Sequence, residues 1–153
     1  MLNTRAAILK DLEDIKNLNS LVMFKNPSFD SDIVEDFAYS AAGDKYFKEA
    51  IEDKEGIFLV AEEDGELVGY INGRKTDFMY RKSRYFEIEN LGVIPQTKRK
   101  GVGSKLMEDF TKIAKDRGFQ KIYLNCYAKN QEALEFYKHK GYIEIDICLE
   151  KNI

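Results

Sequence analysis

The chain has 153 residues, 44% of them hydrophobic and 33% charged, with a formal net charge of -3. That is enough apolar sequence for one buried core, and residues 1–153 are expected to form one domain. No apolar run approaches the ~20 residues of a membrane span, and "MLNTRAAILKDLED" turns acidic too early for a secretory signal.

Cys126 and Cys148 lack metal-ligand spacing and do not make a disulfide framework. A cytoplasmic protein with reduced thiols is therefore expected, without a membrane partner. The single histidine, His139, excludes a multi-histidine site, and no metal is expected. Its neighbours Lys138 and Lys140 read as a solvated helix end.

The elements are read in chain order. "NTRAAIL" (Asn3–Leu9) is a first strand. Leu12, Ile15, Leu18 and Leu21 then recur at helical spacing, with Asp11 as a candidate cap and Asn26-Pro27-Ser28 as a breaker. A second helical region covers Asp32–Ile51, with an interruption expected near Gly43. "GIFLVAEEDGELVGYINGRKT" is two strands joined at Asp64-Gly65. Simple alternation in "RYFEIENLGV" places Tyr85, Glu87, Glu89, Leu91 and Val93 on one face and Phe86, Ile88 and Asn90 on the other. Pro95 ends that strand. Val102, Leu106, Met107, Phe110, Ile113 and Ala114 form a helical apolar stripe stopped by Gly118. "KIYLNCY" is a strand, "NQEALEFYKHK" a helix capped by Asn130, and "GYIEIDICLE" a final strand. The order predicts an α/β (α+β) fold: helices around a single mixed, mostly antiparallel central sheet.

Charge is divided along the chain. Residues 11–55 hold twelve acids and five lysines, and residues 96–121 eight bases and three acids. The bland reading is solvated helix faces. The functional reading is a basic end for an anionic ligand and an acidic end for a cationic one. "RKTDFMYRKSR" (Arg74–Arg84) has five bases and two aromatics, but the chain's pI of 5.4 and the lack of a recognised binding module argue against nucleic acid. It reads as a long hairpin loop.

The most informative stretch is a strand, then Lys98-Arg99-Lys100-Gly101-Val102-Gly103, then a helix opening at Ser104. A helix N-terminus offers unpaired N–H groups and partial positive charge, and glycine lets a phosphate approach the backbone. The spacing is neither a P-loop nor a Rossmann fingerprint.

In context, these elements resemble the GCN5-related N-acetyltransferase (GNAT) superfamily. Its acetyl-CoA loop, [R/Q]-x-x-G-x-[G/A], is met from Lys98 to Gly103, with Lys in place of Arg/Gln. Its later pattern, N-x-x-A-x-x-x-Y-x-x-x-G-[F/Y], is met by Asn130, Ala133, Tyr137, Gly141 and Tyr142. The match is strongest over residues 85–143.

The resemblance implies splayed fourth and fifth strands and acetyl-CoA as co-substrate. The pyrophosphate would lie on Lys98, Arg99, Lys100, Gly101, Val102, Gly103 and Ser104. The pantetheine would pair with main-chain groups of Leu91 and Val93 and touch Asn130. Either strand N–H would also face the thioester oxygen, where charge develops during attack. Glu89 resembles the family's general base, with Glu87, or a water chain, as alternatives. Glu87, Asn90 and Asn125 are candidates on the acceptor side. An unperturbed Glu near ~4.3 is a poor base for an amine near ~10.4. Tyr137 matches the tyrosine that protonates the leaving thiolate and borders the cofactor; its bland role is ring packing. N-terminal acetylases of ribosomal proteins carry Glu-x-Arg where this chain has Asn125-Cys126-Tyr127, which argues against that type.

The expected function is acetyl transfer to a primary amine by direct attack in a ternary complex. The acceptor would be a small-molecule or peptide amine, such as a polyamine or a lysine side chain. The alternative is a non-catalytic acyl-CoA-binding or sensing module. Many relatives pair through sheet edges or C-terminal strands, which leaves a homodimer open.

Overall fold

The computed structural model describes residues 1–98 and 100–153. Its sheet has five strands in the order β1-β2-β3-β4-β5: Asn3–Ala6, Ile57–Glu63, Glu66–Thr76, Tyr85–Val93 and Lys121–Leu124. The first four pair antiparallel, and β5 joins β4 in parallel. The expected mixed, mostly antiparallel sheet is therefore present.

Helices α1 (Leu12–Met23) and α2 (Ala41–Glu52) cover one face; α3 (Val102–Asp116) and α4 (Gln131–His139) cover the other. Alternation along β2 feeds both cores. Ile57, Leu59 and Ala61 meet Leu106 and Phe110, whereas Phe58 and Val60 meet Ile15, Phe47 and Tyr70.

Local chemistry explains most boundaries. Asp64 and Gly65 both take positive φ, 53° and 84°, as a tight hairpin turn requires. Gly118, at φ 83°, terminates α3, and Asn130 accepts a hydrogen bond from the Ala133 N–H to cap α4.

Four expectations need correction. The first strand stops at Ala6, and a 3-10 turn runs over Leu9–Asp11. Asp11 does not cap α1; its carboxylate accepts from Arg5 at 2.7 and 2.9 Å and from the Ile8 N–H at 2.9 Å. The second helical region is shorter than expected, with a 3-10 turn at Phe37–Tyr39 before α2, and Gly43 does not interrupt α2. Ser40 starts α2 by accepting from the Gly43 N–H at 3.0 Å. A Cβ on Gly43 would stand 1.9 Å from the Phe37 carbonyl oxygen, so the glycine permits close packing. Finally, the segment after Gly141 is not a strand in this structure. Its alternation is real, but a strand needs a partner edge, and the segment pairs with none among the described residues.

Candidate functional site

The β4–β5 ladder ends early. Its last pair is Ile88 with Leu124, so β4 from Glu89 to Val93 has an open edge. This is the expected splay.

A bulge falls at the same point. Asn72 of β3 pairs with Asn90 and Gly73 pairs with Ile88, leaving Glu89 unmatched. A Cβ on Gly73 would lie 1.8 Å from the Glu87 carbonyl oxygen, so no larger residue fits there. The bulge overturns the simple alternation expected of this strand. Phe86, Ile88, Leu91 and Val93 all pack in the α3 core. Glu89 and Asn90 instead turn together to the α2 side, where both reach Tyr46 Oη at 2.9 Å.

On that side Glu89 is the centre of a polar network. It is 15% exposed and its Oε1 meets Arg74 Nε at 2.8 Å. Asn72, 1% exposed, donates to Tyr46 at 2.8 Å and accepts from Asn90 at 3.2 Å. A cavity of about 240 Å³ opens here, lined by Tyr46, Glu49, Asp53, Asn72, Arg74 and Glu89. Burial, helped by the charge of Glu89, raises the Glu87 carboxyl above its ordinary value. A carboxylate so raised is the better proton acceptor.

Across the sheet, the glycine turn meets the open edge. Gly101 takes φ 87° and precedes the first turn of α3, whose N–H groups have no helical partner. A Cβ on Gly103 would lie 3.4 Å from Phe136 of α4 and 3.6 Å from Val93 of β4, so three elements converge there. A cavity of about 400 Å³ extends from Val93 past Pro95, Lys98 and Glu132 to Lys25 and Phe24.

Lys98 is ion-paired to Glu132 at 3.3 Å with both side chains exposed, a weak and exchangeable contact. Lys100 is exposed, Ser104 half-buried and Val102 buried, which leaves Val102 a main-chain role only. Arg99 lies outside the described residues.

Tyr137 packs on Phe136 and Tyr142 at the inner face of α4. Burial, with a contribution from Cys126, pushes its phenol well above the ordinary range. The hydroxyl has no hydrogen-bond partner among the described residues. It stays protonated at neutral pH and is available as a donor. Asn125 is exposed just past β5, where Tyr123 Oη donates to it at 3.3 Å. His139 is exposed, its Nδ1 2.7 Å from the Glu135 carbonyl.

Sequence reasoning missed Tyr46, Asn72 and Arg74. Asn72, an amide inside an apolar run, carried a signal. The sequence places Arg74 both at the end of the strand stretch closing at Thr76 and at the start of a loop segment; it lies in β3, and its contact with Glu89 was not foreseen. Tyr46 carried none.

The sequence matches the profile of the Acetyltransferase (GNAT) family over residues 19–142. It is 27% identical over 153 residues to an N-alpha-acetyltransferase of Sulfurisphaera tokodaii, covering 94% of this chain and 81% of that one. It is 35% identical over 108 residues to an N-acetyltransferase of Archaeoglobus fulgidus described as uncharacterized, covering 68% and 73%. The fold resembles the paiA N-acetyltransferase of Thermoplasma acidophilum in complex with coenzyme A, with TM-score 0.78, 20% identity and 97% and 93% coverage.

Proposed function

The chain belongs to the acetyltransferase (GNAT) family, and we propose that it moves an acetyl group from acetyl-CoA to a small cationic amine or a lysine side chain. It is an N-acetyltransferase, as its relatives are named. The acceptor and the roles of individual residues are the proposed part.

The observation that carries the reading is the bulge at Glu89. It lies where the β4–β5 ladder ends, so one short segment borders both the open edge and an acidic cavity. Acetyl-CoA would lie along the main chain of Leu91 and Val93, with its pyrophosphate on the N–H groups of Gly101 to Ser104. The exposed Lys98 and Lys100 would add charge. Asn130, at the start of α4, would border the pantetheine.

The acceptor would enter from the α2 side. There Glu49, Asp53 and Glu89 line the cavity, so the field favours a cation. Either Glu89 or the raised Glu87 would take the proton of the ammonium, directly or through water. Asn90 would orient the acceptor, and Asn125 would border it from the far side of the gap. The amine lone pair then forms the C–N bond to the acetyl carbon. The main-chain N–H groups at the open edge would hold the oxyanion, a kind of contact worth about 3 kcal/mol. The C–S bond breaks, and Tyr137 gives its proton to the CoA thiolate.

A second reading has one observation in its favour: the Sulfurisphaera relative is named an N-alpha-acetyltransferase. A peptide N-terminus is the acceptor in that case. The two readings separate on a panel of polyamines, lysine peptides and peptides with free N-termini. Fastest CoA release with the first two classes supports the reading preferred here, and fastest release with free N-termini supports the second.

We also propose a homodimer. Ile143, Ile145, Ile147 and Leu149 are all exposed, and β5 is an edge strand with one side unpaired among the described residues. Such an alternating apolar segment supports pairing with a second copy.

A further inference from the structure

The two carboxylate oxygens of Glu89 have different surroundings. Oε2 accepts from Tyr46 Oη at 2.9 Å, with Asn72 Nδ2 3.4 Å away. Tyr46 Oη itself accepts from the amides of Asn72 and Asn90 at 2.8 and 2.9 Å. With two amide donors on it, the phenol must direct its own proton to Glu89. Burial pushes the Tyr46 phenol well above its ordinary range, so that proton is retained at any working pH. This side of Glu89 is a buried, mutually satisfied network.

Oε1 is held differently. Its partner among the described residues is Arg74 Nε at 2.8 Å, and Arg74 is 65% exposed. An exposed arginine in a one-nitrogen contact is exchangeable. Glu49 and Asp53 line the same cavity and offer the guanidinium other carboxylates.

We propose that Arg74 is a displaceable counter-ion, occupying on Glu89 Oε1 the place that the acceptor's ammonium takes, while Tyr46 is a positioning residue that keeps the carboxylate aimed when Arg74 leaves. This rests on the reading that Glu89 faces the acceptor. A compact ammonium with three donors can replace one guanidinium N–H on a single oxygen. An acceptor must therefore be cationic to compete, and Arg74 sets a threshold of affinity for entry.

The test uses 1,5-diaminopentane as the probe cation, with Arg74→Gln, Arg74→Lys and Tyr46→Phe. Calorimetric binding to Arg74→Gln should be at least about twofold tighter than to wild type, because Arg74 is exposed while Glu89 is only 15% exposed and the pair is worth no less than a surface one. Arg74→Lys should restore wild-type affinity. Tyr46→Phe should lower kcat more than it changes KM, with its fold intact by circular dichroism. Equal affinity of wild type and Arg74→Gln, weaker binding to the variant, or no binding by either protein overturns the proposal. Binding is read without turnover, so this failure is distinct from failure of the catalytic reading, in which wild type releases no CoA with any amine.

Discussion

Replacing Tyr137 with Phe separates catalysis from packing. The ring stacks against Phe136 and Tyr142, with centroids at 5.5 and 5.7 Å, and phenylalanine keeps both contacts. Only the hydroxyl is lost, and it has no partner among the described residues. A half-buried hydroxyl without a partner adds nothing to stability, so Tyr137→Phe should melt at the wild-type temperature or slightly above. Proton donation to a leaving group is worth about 10²–10⁴ in rate, or roughly 3–5 kcal/mol of barrier. The expected result is a kcat at least about a hundredfold lower with acetyl-CoA affinity unchanged. Steady-state kinetics, acetyl-CoA titration and a thermal melt on one preparation read all three. An unchanged kcat in a folded variant would refute the assignment and leave Tyr137 a core residue.

Three further outcomes follow from the geometry. Gly73→Ala drives a Cβ to 1.8 Å from the Glu87 carbonyl, a backbone atom that cannot swing away. It should cost at least about 3 kcal/mol, read as a melting drop of roughly 6–12 °C. The Arg5 hydrogen bonds hold the Asp11 carboxyl below its ordinary value. A lowered folded-state pKa stabilises the fold above the unfolded value, near ~3.9, and the contribution is lost as pH falls below it. Asp11→Asn should therefore lower urea stability at pH 7, with the gap from wild type closing below about pH 4. Removal of residues 143–153 should turn a dimer into a monomer by light scattering; a wild type that is already monomeric at high concentration would refute the pairing proposal.

Features set by neighbouring residues were legible in the sequence. The Asp64-Gly65 turn, the Asn130 cap and the Gly118 stop each depend on a few consecutive residues. The α3 stripe and the glycine turn were legible for the same reason. The bulge was not, because it is a mismatch between two strands and shows only when Asn72 is seen opposite Asn90. Counting alternate residues through Glu89 therefore assigned Leu91 and Val93 to the wrong face. Tyr46 was out of reach too, since its contact with Glu89 joins residues 43 apart. The C-terminal alternation was visible, but no pattern in one chain states which edge it pairs with. Arg74 was legible as the end of a strand stretch closing at Thr76, where β3 does end, although the basic, aromatic run from Arg74 also reads as loop; its contact with Glu89 was out of reach.

The central claim is that acetyl-CoA lies in the gap between β4 and β5 with its pyrophosphate on the start of α3. Titrating ¹⁵N-labelled protein with acetyl-CoA and following backbone amide shifts tests it most directly. The account predicts the largest changes at Leu91, Val93, Gly101, Gly103, Ser104 and Asn130, with β1 and the β2–β3 turn nearly still. Shifts concentrated away from the gap, or no shifts at millimolar acetyl-CoA, would contradict it.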